Sequence, residues 1–561
     1  MRRVVLTSLV LVAALGCAGR DQTPFVATPG GPIAGPQPEP VLPTIVPSPA
    51  LAVAADPNLE GFTGWPLVFD TTPGGYGPLH CTVSLTRAGT VLALLDGTLG
   101  PSTCTVTWTG RDPSGLALPP GPVNVDARLL DAGATMRAQS ESRVELVRLG
   151  IAQVDLVGAT GAQAPLLYTT TGGVRGAYAE LTTTDVEWKL GPDRSEGAGS
   201  VVNELADGSA RPLPAIWMDV LSPPLDAAAP DGLEHDTYSL PSAWVAGSQL
   251  DARVHLNADV AAGAGMGAPT ITEVRVVPPT GLTIAAGADM FAHATVVSAH
   301  TTTSPVPAVG RYDVAWRWTF EARNAGGEWA PMPGSITTNL RLYGLVALPT
   351  MRYDALPHRA WVDIVDQIAQ WVDGSSADPT VVGGRLVEGI YDELGLAYDR
   401  ASGASAYTWY SGGGSTGFEG GQYEALHFQT RDFGAIINCS DASSILSTFA
   451  NMIGIDLRYH ILRKWGSGGF DLNFIQAIGW PGFTETPFTG GRGAFSYHSV
   501  VGPPDTTFFD ATLALDGDGV PTALPSTALL AAGMPATDYI RDLSSEWMTV
   551  TPRLDEKVRV R

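Results

Sequence analysis

Lysine is scarce in this chain of 561 residues, and Asp, Glu, Lys and Arg together make up only 16% of it. Few helices with charged outer faces can be built from such a composition. The 65 glycines and 44 prolines demand many turns instead, so a largely β protein is expected. Basic charge is the second shortage. A formal net charge of −23 leaves little to neutralise a phosphate backbone, which excludes nucleic acid as a partner and suits a soluble extracytoplasmic protein. His235 and His255 have no neighbours at metal-ligand spacing, so each reads as a surface or strand histidine. The run Ser411 to Gly417 has no Gly-Lys-Ser/Thr after it, so it is a loop and not a phosphate cradle. Neither a cofactor nor a metal is expected. At this length one core does not suffice, and three to five domains are expected.

Residues 1–17 read as an export signal: Arg2 and Arg3 form a basic start, and Val4 to Leu15 form an apolar core too short to span a membrane as a mature helix. The end of this segment, Ala14-Leu15-Gly16-Cys17, resembles a bacterial lipobox. That resemblance implies lipidation of Cys17 and a membrane anchor through the lipid, with Ala18 pointing to the outer membrane. Ordinary signal cleavage nearby, giving a periplasmic or secreted protein, is the alternative. Residues 18–60 form a proline-rich tether, with ten prolines between Asp21 and Glu60.

From 61 to 150 the pattern is that of a β-sandwich. Thr105 to Trp108 and Val123 to Leu129 alternate as strands, and Cys81 and Cys104 can pair in an oxidising compartment. Between the strands, Trp108-Thr-Gly110-Arg-Asp112-Pro-Ser-Gly115-Leu-Ala-Leu118-Pro-Pro-Gly121 resembles a hairpin of the immunoglobulin-like domain of flagellar hook-capping proteins. Such modules are spacers, and Asp112 is expected to tighten the turn. Two further sandwich-like domains are expected at 151–267 and 268–350, from β-prone runs such as Leu250 to Leu256 and Tyr312 to Trp318.

Near Ala355 the apolar period changes from two to 3.6. Trp361, Ile364, Val365, Ile368 and Trp371 mark one helix, and Val381 to Leu394 a weaker one. A third is organised around Asn438-Cys439-Ser440-Asp441-Ala442. Ala442, Ile445, Leu446, Phe449, Met452 and Ile453 give it an amphipathic stripe, Asn438 caps it, and Gly454 closes it. Cys439 thereby falls in the first turn, where the macrodipole favours a thiolate. Four strand-like runs follow, carrying His498 and Asp510 in that order. A nucleophilic cysteine, an imidazole to move its proton and a carboxylate to orient the imidazole are what thiol catalysis requires. A buried small residue is the other reading of Cys439.

The segment 355–519 resembles the transglutaminase-like, papain-like α+β domain. The resemblance rests on Cys439-Ser-Asp-Ala442, Met452-Ile-Gly454-Ile455, Tyr497-His498 and Phe509-Asp510-Ala511-Thr512. Ala511 stands where the family has proline, Ile437 where it has glycine, and Ser499-Val500 where it has Ala-Trp. The resemblance implies a Cys439–His498–Asp510 triad acting on protein or peptide amides, with Trp409 as the counterpart of an upstream indole that stabilises the oxyanion. His427 and His460 compete with His498, and Asp505, Asp516 and Asp518 with Asp510. Asp516-Gly-Asp518-Gly reads as a β-turn. Residues 520–561 form a C-terminal extension. The fold class expected is thus multidomain, with N-terminal immunoglobulin-like sandwiches followed by an α+β transglutaminase-like domain. The activity expected is a cell-surface cysteine peptidase or amidase, in preference to a cross-linking acyltransferase. The alternative is a non-catalytic surface adhesin or scaffold.

Overall fold

The computed structural model describes most of residues 41–158, separate stretches within 163–239, and most of 242–552 together with 559–560. Residues 1–40 lie outside it, and with them the signal segment, Cys17 and the first half of the proline-rich segment. So do His235, Asp505 and residues 411–420.

The protein is largely β and multidomain. Its first unit is a sandwich in which strands Trp65–Thr72, His80–Arg87, Thr103–Trp108 and Gly121–Leu130 bury every second residue. In Gly121–Leu130, for example, Val123, Val125, Ala127 and Leu129 point inward. The tether expected at 18–60 is not wholly a tether. Thr44–Pro47 pairs antiparallel with Trp65–Thr72, and Val53–Ala54 pairs parallel with Met136–Leu146. Ile45 is buried, and an edge position tolerates Pro47, so the β-prone Thr-Ile-Val run outweighs its proline-rich setting. Asp112 does tighten its turn, accepting from Ser114 N–H at 2.8 Å, Ser114 Oγ–H at 2.6 Å and Leu116 N–H at 3.0 Å.

Cys81 and Cys104 form a disulfide across 23 residues of sequence. Strand Thr90–Leu99 crosses beneath it, pairing Gly97 with Cys81 and Leu99 with Cys104. A Cβ at Gly97 would meet Cys104 Sγ at 2.6 Å and Cys81 Sγ at 3.1 Å. Gly97→Ala should therefore lower the urea midpoint of unfolding by the equivalent of about 1–3 kcal/mol. An unchanged midpoint would mean that the crossing strand shifts freely.

The two modules expected at 151–267 and 268–350 are one unit. Leu250–Asp259 pairs with Val296–Thr301 in one sheet, and Ser242–Val245 pairs parallel with Ile336–Leu345 in the other, so strands from both sides of the expected boundary interleave. Trp244, Leu250, Val254, Val276, Trp318 and Phe320 share its core.

The C-terminal unit is α+β. Its sheet runs in the order Ile475–Ala477, Thr507–Asp516, His498–Gly502, Arg458–Lys464, Met548–Pro552, with Ala528–Pro535 also paired to Thr507–Asp516. The limit expected at 519 is therefore too early. Two strands of this sheet, and the helix Ala536–Leu543, come from the segment expected to be an extension. The helices Pro379–Asp392 and Cys439–Met452 pack on the sheet, Val362–Val372 packs on these two helices, and the apolar faces of all three form one core with the sheet. The Cys439–Met452 helix differs from expectation in one respect. All fourteen of its residues are buried: strands His498–Gly502 and Thr507–Asp516 pack on it, helix Pro379–Asp392 lies beside it on the same sheet, and helix Val362–Val372 and the short strands Thr408–Tyr410, Gly421–Tyr423 and Ile436–Ile437 also touch it. Its four serines, Ser440, Ser443, Ser444 and Ser447, mimic a polar face in sequence but face protein in the fold.

Candidate functional site

The central helix starts at Cys439 because Asn438 caps it. The Asn438 side chain accepts from Ser440 N–H at 2.9 Å and Asp441 N–H at 3.1 Å, and Asp441 accepts in return from Asn438 N–H at 3.2 Å. The N–H of Cys439 lies outside these bonds, at the positive end of the helix dipole.

Asp441 does more than close the cap. It also accepts from the N–H groups of Ala406 at 2.7 Å, Tyr407 at 2.9 Å and Thr408 at 2.8 Å. Burial pushes its carboxyl up from the ordinary value, and these donors oppose the shift. The consequence is positional: one buried carboxylate ties the chain at 405–408 to the first turn of the cysteine helix. Tyr398 reaches the same end by a separate route, since Ala397–Tyr398 pairs parallel with Ile436–Ile437. Burial and, next, the charge of Cys439 raise the Tyr398 phenol well above its usual value.

His498 opens strand His498–Gly502, which packs against the cysteine helix, and Asp510 lies in the adjacent strand Thr507–Asp516. His498 Nε2 and Asp510 Oδ2 are 2.9 Å apart. Asp510 Oδ1 accepts from Thr512 N–H at 2.7 Å, and Tyr539 donates its hydroxyl to Oδ2 at 2.6 Å. Phe495 stacks on the His498 ring at 5.4 Å and 12°. With Nε2 taken by Asp510, Nδ1 is the nitrogen left for Cys439. It completes no hydrogen bond, yet the thiol lies close enough to favour the protonated ring. Such contacts commonly tighten only when substrate binds.

Burial pulls the imidazole pKa down. The charge and hydrogen bond of Asp510, with smaller contributions from Cys439, outweigh it and push His498 to about 10. The histidine is therefore an imidazolium at neutral pH. All three groups are enclosed: Cys439 is 3% exposed, His498 0% and Asp510 1%.

The competing residues lie elsewhere. His427 Nδ1 pairs with Asp432 at 2.7 Å, and His460 Nε2 faces the carbonyl of Gly502 at 3.1 Å. His255 pairs with Asp155 in the second sandwich at 2.8 Å. Asp516 accepts from Asp518 N–H at 3.1 Å, the turn expected there. The backbone of Trp409 sits in strand Thr408–Tyr410, opposite Gln422, while its side chain lies outside the described residues. Among the described residues no three His, Cys, Asp or Glu side chains are grouped to hold a metal ion. No helix among them is long and apolar enough to cross a membrane.

Two contributors escaped the sequence reading. Tyr539 lies in the segment taken for an extension; its signal was the Tyr539/Leu543 pair at i and i+4, both buried. Phe495, three residues before His498, carried no signal in the sequence.

No protein-family profile matches the chain, and no curated protein matches it. Among solved structures the chain is similar to the fibronectin(III)-like modules of Clostridium thermocellum CbhA, at 11% identity, over 54% of this chain and 93% of that one. The TM-score is 0.16, so the likeness carries no argument about this site.

Proposed function

We propose that the C-terminal unit is a cysteine hydrolase or acyltransferase of the transglutaminase-like, papain-like kind, acting on protein or peptide amides. The observation that carries this reading is the position of Cys439 at the capped start of a buried helix, beside an imidazolium whose far nitrogen is held by Asp510. A protonated imidazole beside a thiol at a helix N-terminus is the setting in which a thiolate is favoured. In the reaction the Cys439 sulfur attacks the amide carbonyl and its C–S bond forms. The Cys439 N–H donates to the developing oxyanion. The amine leaves with the proton of His498 Nδ1, and a thioester remains. His498 then takes a proton from the acceptor as it attacks the thioester, which returns Cys439. Water as acceptor makes a peptidase or amidase, which we prefer; an amine makes a cross-linking acyltransferase. On this reading the β domains space the enzyme from a membrane to which Cys17 is attached by lipid, at the bacterial surface or outer membrane.

The burial of all three groups favours a second reading, a non-catalytic surface adhesin or scaffold that keeps the fold without the activity. Iodoacetamide separates the two. In a Cys17→Ser chain the catalytic reading expects Cys439 to be alkylated in the native state at pH 7, and on the order of tenfold or more slowly after His498→Ala. Cys439→Ser supplies the blank. Labelling that appears only on denaturation would sink the catalytic reading.

A further inference from the structure

The hydroxyl of Tyr539 and His498 Nε2 meet on one oxygen, Asp510 Oδ2, at 2.6 and 2.9 Å, while Thr512 N–H holds the other oxygen at 2.7 Å. Tyr539 is fully buried on the helix Ala536–Leu543 and packs edge-on against Phe508 at 5.6 Å. Its phenol is raised well above its ordinary value by burial and then by the Asp510 charge, which keeps the proton on the tyrosine and the hydroxyl a donor.

We propose that Tyr539 is a positioning residue for the His498–Asp510 pair: by sharing Asp510 Oδ2 with His498 it fixes the carboxylate's orientation and sets how strongly it binds the imidazolium. A carboxylate oxygen that gives part of its charge to a phenol has less to give to an imidazole. Tyr539 thereby weakens the hold of Asp510 on His498 and keeps the Nδ1 proton transferable. The inference rests on the catalytic reading for its purpose but not for its test, because the coupling exists whether or not the protein turns over substrate.

The test is proton NMR of the full chain at pH 7, following the downfield resonance of His498 Nε2–H. Tyr539→Phe removes the competing donor, and the resonance should move further downfield as the His498–Asp510 bond strengthens. 3-Fluorotyrosine placed at 539, a stronger donor of nearly the same shape, should move it upfield, and it keeps the test open should Tyr539→Phe fail to fold. Opposite shifts for the two replacements establish the shared-oxygen coupling. A resonance that stays fixed with fluorotyrosine, or shifts the same way in both, overturns it and leaves Tyr539 as packing. Iodoacetamide labelling of Cys439 is read on the same samples. An inert thiol with opposite NMR shifts would discard the enzyme and keep the coupling, whereas a reactive thiol with fixed resonances would do the reverse.

Discussion

Asp510→Ala should destabilise the C-terminal unit by about 3–5 kcal/mol at pH 7, the usual cost of removing one partner of a buried ion pair. The substitution strands three donors at once. His498 is fully buried and protonated, with Nε2 at 2.9 Å from the lost carboxylate, and the Tyr539 hydroxyl and Thr512 N–H lose the same acceptor. Urea denaturation followed by far-UV circular dichroism reads the loss. Asp510→Asn keeps an acceptor oxygen for Tyr539 but not the charge, so it should fall between wild type and Asp510→Ala. A loss well under 1 kcal/mol for Asp510→Ala would mean that the pair is open to water, contrary to its burial.

Stability should fall as pH rises from about 7 to about 10. His498 titrates near 10 in the folded protein and near 6.5 in an unfolded chain. The native pKa is the higher one, so the native state binds the proton more tightly. The contribution is complete below pH 6.5 and is lost as pH climbs through 10. At roughly 1.4 kcal/mol per unit of pKa difference, the change amounts to several kcal/mol. The groups facing the ring are Asp510, which supplies the shift, Cys439, which adds to it, and Phe495, which carries no charge. The slope should therefore vanish in Asp510→Asn and survive in Cys439→Ala. A urea midpoint that is flat from pH 7 to 10 in the wild type would contradict the imidazolium. For the same reason the cost of Asp510→Ala should shrink above pH 10, where His498 is neutral with or without its partner.

The sequence determined whatever depends on neighbours along the chain. Asn438, Cys439 and Asp441 specify a capped helix start by their order alone, and the cap forms as those residues require. The period of two in Gly121 to Leu130 specifies a half-buried strand, and the Asp112 turn closes on its own backbone. Gly454 ends the cysteine helix with φ of +85°, a conformation glycine adopts without strain. The pairing of His498 with Asp510 was also legible, as was the disulfide between Cys81 and Cys104.

Tertiary structure decided what depends on groups far apart in the chain. The sequence around Leu250 does not reveal that this strand pairs with Val296–Thr301, because a two-residue alternation says which face is buried and not which strand lies beside it. The serines of the central helix are buried only because the fold brings Tyr497 to Ser440, Thr408 to Ser444 and the Leu457 carbonyl to Ser447. Asp441 reads as a capping residue, and only the fold brings three further N–H groups to it from 406–408. Tyr539 is 29 residues from Asp510, and nothing local to either predicts a 2.6 Å hydrogen bond. Capping and periodicity act within a turn or two of the chain. Burial and charge act through space, and at this site they are what join Cys439, His498, Asp510 and Tyr539.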